Sequence, residues 1–87
     1  MLSLSELRPG ERGVVCQLPA GNERQLLYEL GLIPGTIIEI VAFAPWGDPV
    51  ICRLRGSTLA LRRQMVAQIT VNPLPTSTSS VGERRAV

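Results

Sequence analysis

A chain of 87 residues makes one domain, which buries only about 60% of the surface its unfolded form exposes and leaves little room for a deep catalytic cleft. Hydrophobic residues make up 45% of it but aromatics only 3%, so the core is aliphatic and a stacking platform for single-stranded nucleic acid is disfavoured. The formal net charge of +2 is too weak to imply nucleic acid by itself, and the absence of Lys excludes a phosphate-cradling NTPase loop.

Ser3 to Leu7 reads as one helical turn capped by Ser3 or Ser5, with Leu4 and Leu7 inward, before Pro9-Gly10 redirects the chain. Glu11 to Leu18 is the first strand; Val14-Val15-Cys16 is continuously apolar, so either Val15 or the Val14, Cys16, Leu18 set faces inward, and a bulge would reconcile the two. Asn22 can cap the helix that follows, with Gln25 reaching back in a capping box and Leu26, Leu27 and Leu30 forming its apolar face. Gly31 fits a left-handed Schellman cap with Leu32 folding back onto Leu27, while Pro34-Gly35 stops the helix and starts a strand.

Thr36 to about Phe43 is the second strand, with Glu39 marking a solvent-facing position. Pro45 to Pro49 is a connecting loop, in which Gly47 and Asp48 are turn residues and Asp48 braces the loop through local backbone amides. In the third strand, Val50 to Arg55, the set Val50, Cys52 and Leu54 alternates with Ile51, Arg53 and Arg55, which face water or a partner. Gly56 turns the chain into Ser57 to Leu61, with Leu59 and Leu61 inward; Arg62 to Ala67 is one helical turn and Gln68 to Asn72 the closing strand. The domain is expected to span residues 1–72, with 73–87 a disordered tail rich in Pro, Ser and Thr.

Chemistry is sparse. With no His and one Asp, no nucleophile has a general base in reach, so no catalytic residue is expected. The acids Glu6, Glu11, Glu23, Glu29 and Glu39 are scattered singly, and Cys16 and Cys52 lack metal-ligand spacing; neither a metal nor a cofactor is expected. The thiols read as free and semi-buried, and would pair under oxidation only if neighbours. Arg53, Arg55, Arg62 and Arg63 are the one charge concentration, readable as a solvated face, a docking surface for an acidic protein or a phosphate-contacting patch. The Pro and Gly turns that separate these short strands imply a small β-barrel, and Trp46 either lids its end or anchors a partner. With Tyr28, Ile51 and Met65 also left outside the core, a recognition surface is the economical explanation.

The longest apolar stretches, such as Ile40 to Pro45, fall far short of the roughly 18 residues that span a bilayer. The N-terminus lacks the basic and apolar regions of a secretion signal. A cytoplasmic protein without direct membrane insertion is the expectation, and an edge strand in so short a barrel leaves pairing between chains open.

The ordered pieces Leu7-Arg8-Pro9-Gly10, Leu30-Gly31-Leu32, Pro34-Gly35, Ala44-Pro45-Trp46-Gly47-Asp48-Pro49 and Arg55-Gly56-Ser57-Thr58-Leu59-Ala60-Leu61-Arg62 resemble the FeoA family of ferrous iron transport accessory proteins over residues 4–72. The resemblance implies a mainly β fold, a small SH3-like barrel with one short helix between strands one and two, related to the C-terminal domain of iron-dependent repressors. It implies a non-enzymatic protein that docks to the cytosolic part of the FeoB ferrous iron permease, at the inner face of the membrane, while iron passes through the permease. Tyr28, Trp46, Ile51, Arg53, Arg55 and Met65 are the candidate docking residues. The competing reading is a nucleic-acid or repressor-like module using Arg53, Arg55, Arg62 and Arg63, although no nucleic-acid partner is expected.

Overall fold

The computed structural model describes residues 1–75. Its elements are β1 (Leu2–Ser3), a 3-10 turn (Leu4–Glu6), β2 (Arg12–Gln17), α1 (Asn22–Glu29), β3 (Ile37–Phe43), β4 (Val50–Leu54), β5 (Ser57–Leu61), α2 (Arg63–Ala67) and β6 (Thr70–Pro73). The strands form one antiparallel sheet in the order β1-β6-β2-β3-β4-β5. This is the mainly β class expected, with α1 between the first two long strands.

Local chemistry explains the opening turn. Ser3 and Glu6 form a reciprocal capping box around Leu4–Glu6, satisfying amides that a short 3-10 segment leaves without partners. The turn thereby delivers Leu4 and Leu7 to the core. In β2 the two candidate inward faces are reconciled by a register shift between Val15 and Gln17: the extra residue lets both Val15 and Leu18 be buried while Cys16 stays half-buried.

The start of α1 differs from expectation. Gly21, at φ 80°, occupies the N-cap position without a side-chain cap, and Asn22 is already helical. Instead, the Arg24 guanidinium donates to the carbonyls of Leu18 and Pro19, holding the chain that leads into the helix. The apolar face is also narrower than expected: Leu27 is fully buried, whereas Leu26 and Leu30 are 49% and 41% exposed. This helix of eight residues reaches the core with one side chain, Leu27.

The end of α1 follows the Schellman pattern, with Leu32 N–H donating to Leu27 O and Gly31 N–H to Tyr28 O, both at 2.9 Å. Gly31 has φ +93°, which a Cβ would strain, and the reversal returns Leu32 to the core beside Leu27. In β3, Ile38 and Ile40 point inward and Ile37 outward; in β4, Val50, Cys52 and Leu54 are buried. Arg55 belongs to the β4–β5 turn rather than to the strand: Leu54 pairs with Ser57, and Arg55 and Gly56 between them both have positive φ, as a two-residue hairpin turn requires.

Asp48 does not brace its own loop. Its Oδ1 accepts from the Arg63 N–H at 3.0 Å and so caps α2 across 15 residues of chain. The Ala44–Gly47 turn is closed by its own backbone, Gly47 N–H donating to Ala44 O at 2.7 Å. The core is aliphatic, its fully buried members including Leu4, Leu27, Leu32, Ile38, Ile40, Val66, Ile69 and Val71. The last strand takes in Pro73, and Leu74 N–H donates to Arg12 O. The greater part of the expected tail, residues 76–87, lies outside the described residues.

Candidate functional site

Strand register creates one charged row on the outer face of the sheet. Arg12 of β2 stands opposite Glu39 of β3, Glu39 opposite Arg53 of β4, and Arg53 opposite Thr58 of β5. Arg53 Nη1 lies 3.4 Å from Glu39 Oε1. With the β4–β5 turn, the row borders an open concavity of about 430 Å³ lined by Arg12, Thr36, Glu39, Arg53 and Arg55 among others.

The four-arginine cluster of the sequence does not exist as a surface. Leu61 pairs with Val50, so Arg62 and Arg63 lie beside the start of β4, with Arg63 held at Asp48, whereas Arg55 follows its end. At about 3.4 Å per residue, Arg55 and Arg62 are separated by roughly 17 Å along the hairpin. Arg12 takes their place in the row with Arg53, on the other side of Glu39. Its contribution needs the β2–β3–β4 register, and no local signal in the sequence gives it.

Apolar exposure is concentrated in two places. Leu26, Tyr28, Leu30, Ile33 and Ile37, all at least 36% exposed, lie on α1, the chain that follows it and the first residue of β3. Trp46, 89% exposed, tips the β3–β4 turn with Phe43 nearby in sequence, so it does not lid the barrel. Sequence reasoning missed Leu26, Leu30, Ile33 and Ile37, because helical spacing and β-branching read as core-forming whether or not a partner element covers them.

The expected docking residues therefore scatter. Tyr28 is on α1, Trp46 on the β3–β4 turn, Ile51 and Arg53 on the outer face of β4, and Arg55 at its far end. Ile51 is half-buried. Met65 on α2 is half-buried and packed against the core, so it is not a free surface side chain.

The buried Cys52 thiol lacks a nucleophile's environment. Cys16 and Cys52 are free and sit on strands separated by β3, about 10 Å across the sheet, beyond disulfide reach. Burial pushes the Cys52 thiol from 9.0 up to about 11, the opposite of what a reactive cysteine needs. Among the described residues no group of three or more Cys, Asp or Glu could hold a metal ion, and no helix is long and apolar enough to cross a membrane.

Comparison with known proteins adds a family. The FeoA domain model matches residues 2–73. The chain is 32% identical over 92 residues to an Fe(2+) transport protein A/Fe(2+) transporter FeoB fusion protein of Porphyromonas gingivalis, aligning 98% of its own length but spanning only 11% of that relative. The FeoA protein of Chlorobium tepidum superposes with a TM-score of 0.80 at 37% identity, over 85% of this chain and 71% of that one. The zinc-complexed FeoA of Stenotrophomonas maltophilia, a prokaryotic SH3 domain protein, superposes with a TM-score of 0.71 at 27% identity, over 83% and 91% of the two chains. A likeness to the IdeR of T. acidophilum, at 20% identity and a TM-score of 0.72 over 82% of this chain and 33% of that one, concerns the fold alone.

Proposed function

The chain belongs to the FeoA domain family, and from that premise we propose that it is a non-enzymatic accessory of ferrous iron uptake that docks to the cytosolic part of a FeoB-type permease. The observation that carries this reading is the fusion relative, in which a segment similar to nearly the whole of this chain shares one polypeptide with FeoB. A covalent link raises the effective concentration of two modules to the order of mM, which matters only if the modules meet.

The molecule is suited to docking rather than to chemistry. Two groups of exposed large apolar side chains, around α1 and at Trp46, exceed what scatter requires on so small a domain. Iron passes through the permease, and this chain acts by contact. The repressor-like alternative has less support, since Arg53 and Arg55 stand apart from Arg62 and Arg63.

Titration of this chain into the purified cytosolic domain of a FeoB permease, followed by calorimetry, tests the reading. Saturable binding that persists at raised salt is expected for an apolar contact. Absence of binding, together with salt-sensitive binding to duplex DNA, would transfer the function to the nucleic-acid reading.

A further inference from the structure

The concavity beside the β4–β5 turn carries an unbalanced charge. Arg12, Arg53 and Arg55 line it, and Glu39 is the only acid among its lining residues. The Arg53–Glu39 contact is the one ion pair among the described residues, so Arg12 and Arg55 border the concavity without an acidic partner. Arg55 is also the only non-glycine residue there with positive φ, at 53°. That turn position favours Asn, Asp or Gly, so the backbone gives no reason for an arginine. Strain retained beside a cleft points to what the side chain does. Thr36 lines the same concavity, and its buried Oγ1 has no hydrogen-bond partner.

We propose that this concavity binds a carboxylate of an acidic peptide segment presented by a protein partner, with Arg12 and Arg55 receiving it and Arg53 exchanging to it from Glu39. The proposal deepens the docking reading above and rests on it for the identity of the partner. Guanidinium forks match carboxylates in plane and spacing. The Arg53–Glu39 contact of 3.4 Å is longer than a charge-assisted hydrogen bond, and Arg53 is half exposed, so the exchange gives up little.

Two features favour a carboxylate over a phosphate. Glu39 already places a carboxylate against Arg53, so the site accommodates that group. Its fixed charge also repels a dianion about twice as strongly as a monoanion. The concavity is too open to enclose a small ligand, so a single carboxylate needs the flanking residues of a chain to hold it there.

The test is an NMR titration of the full chain with hexaglutamate, hexaglutamine and inorganic phosphate at one low ionic strength. Hexaglutamate should give saturable amide shifts at Arg12, Thr36, Glu39, Arg53, Arg55 and Gly56, and hexaglutamine none. Arg12→Gln and Arg55→Gly should each weaken the binding by about fivefold or more, while Glu39→Gln strengthens it. Arg55→Gly removes the guanidinium where the backbone prefers glycine, so its loss of binding would not reflect a loss of fold. An Arg62→Gln/Arg63→Gln double variant should bind as the parent does. Absence of saturable shifts, equal response to hexaglutamine, phosphate binding with hexaglutamate silent, or equal weakening by the double variant would each overturn the proposal. No permease takes part, so failure here and failure of FeoB capture are separate results.

Discussion

Asp48 and Arg63 are joined by a 3.0 Å hydrogen bond from the Arg63 N–H to the Asp48 carboxylate, which ties the β3–β4 turn to the first turn of α2. Arg62, at the N-cap position itself, supplies no capping side chain. Asp48→Ala should therefore destabilise the protein by about 1 kcal/mol and Asp48→Asn by less. Urea midpoints measure both, and an unchanged midpoint for the alanine variant would remove the cap from the stability argument.

Gly31 and Gly13 should both resist replacement by alanine, for different reasons. A Cβ on Gly31 meets only Leu54 Cδ2 at 3.9 Å, so the cost is the positive φ, about 1 kcal/mol or somewhat more. A Cβ on Gly13 would lie 3.0 Å from the Val71 side chain and 3.2 Å from Asn72 O, an overpacking cost of about 1 to 3 kcal/mol. Gly31→Asn should recover part of the first loss, since Asn tolerates the left-handed region, whereas Gly13→Asn should fare worse than alanine. Thermal unfolding of the four variants distinguishes strain from collision.

Cys52 makes stability depend on alkaline pH. Its thiol ionises near 9.0 when exposed and is pushed up to about 11 by burial, so above pH 9 the unfolded chain releases a proton that the native chain keeps. Stability from this group is complete below pH 9 and falls as pH rises towards 11. Cys52→Ala should flatten that fall, as followed by urea midpoints at pH 8, 9 and 10. At pH 8 the half-buried Cys16 should react with a thiol reagent well before Cys52.

Docking residues should separate from core residues. Trp46→Ser and Leu26→Ser should each change stability by no more than about 0.5 kcal/mol, yet a hot spot among them would weaken capture of the permease cytosolic domain by about 2 kcal/mol or more. Met65→Gln should behave differently and lower the unfolding midpoint, because Met65 packs against the core. Normal capture by both serine variants would move the interface away from the apolar surface.

What the sequence disclosed was largely local. Pro-Gly pairs, the Gly31 stop signal and the alternation of Val50, Cys52 and Leu54 act within a few residues, so their geometry could be read without knowing what they pack against. Asn22 misled because a capping sequence competes with Gly21, whose φ of 80° already provides a non-helical N-cap. Leu26 and Leu30 misled because periodicity reports which side chains share a face, while burial needs a neighbour to cover it. Arg12 beside Glu39, and Asp48 on Arg63, are set by strand register and by the placing of a distant helix. No window of sequence contains both partners of either relationship at a spacing that would reveal it.

The place of β6 has a kinetic consequence. Val71 stands opposite Leu2 on one side and Val15 on the other, so the last strand made fills the gap between the first two. A growing chain that has emerged only as far as Gln68 holds every other strand of the described residues but leaves β1 unattached and one edge of β2 open. Contacts of such long sequence separation slow folding. In a polypeptide where a segment of this kind precedes a permease, the ribosome must therefore release the final strand before the domain can become a finished binding partner, and the order of synthesis sets the earliest moment of assembly.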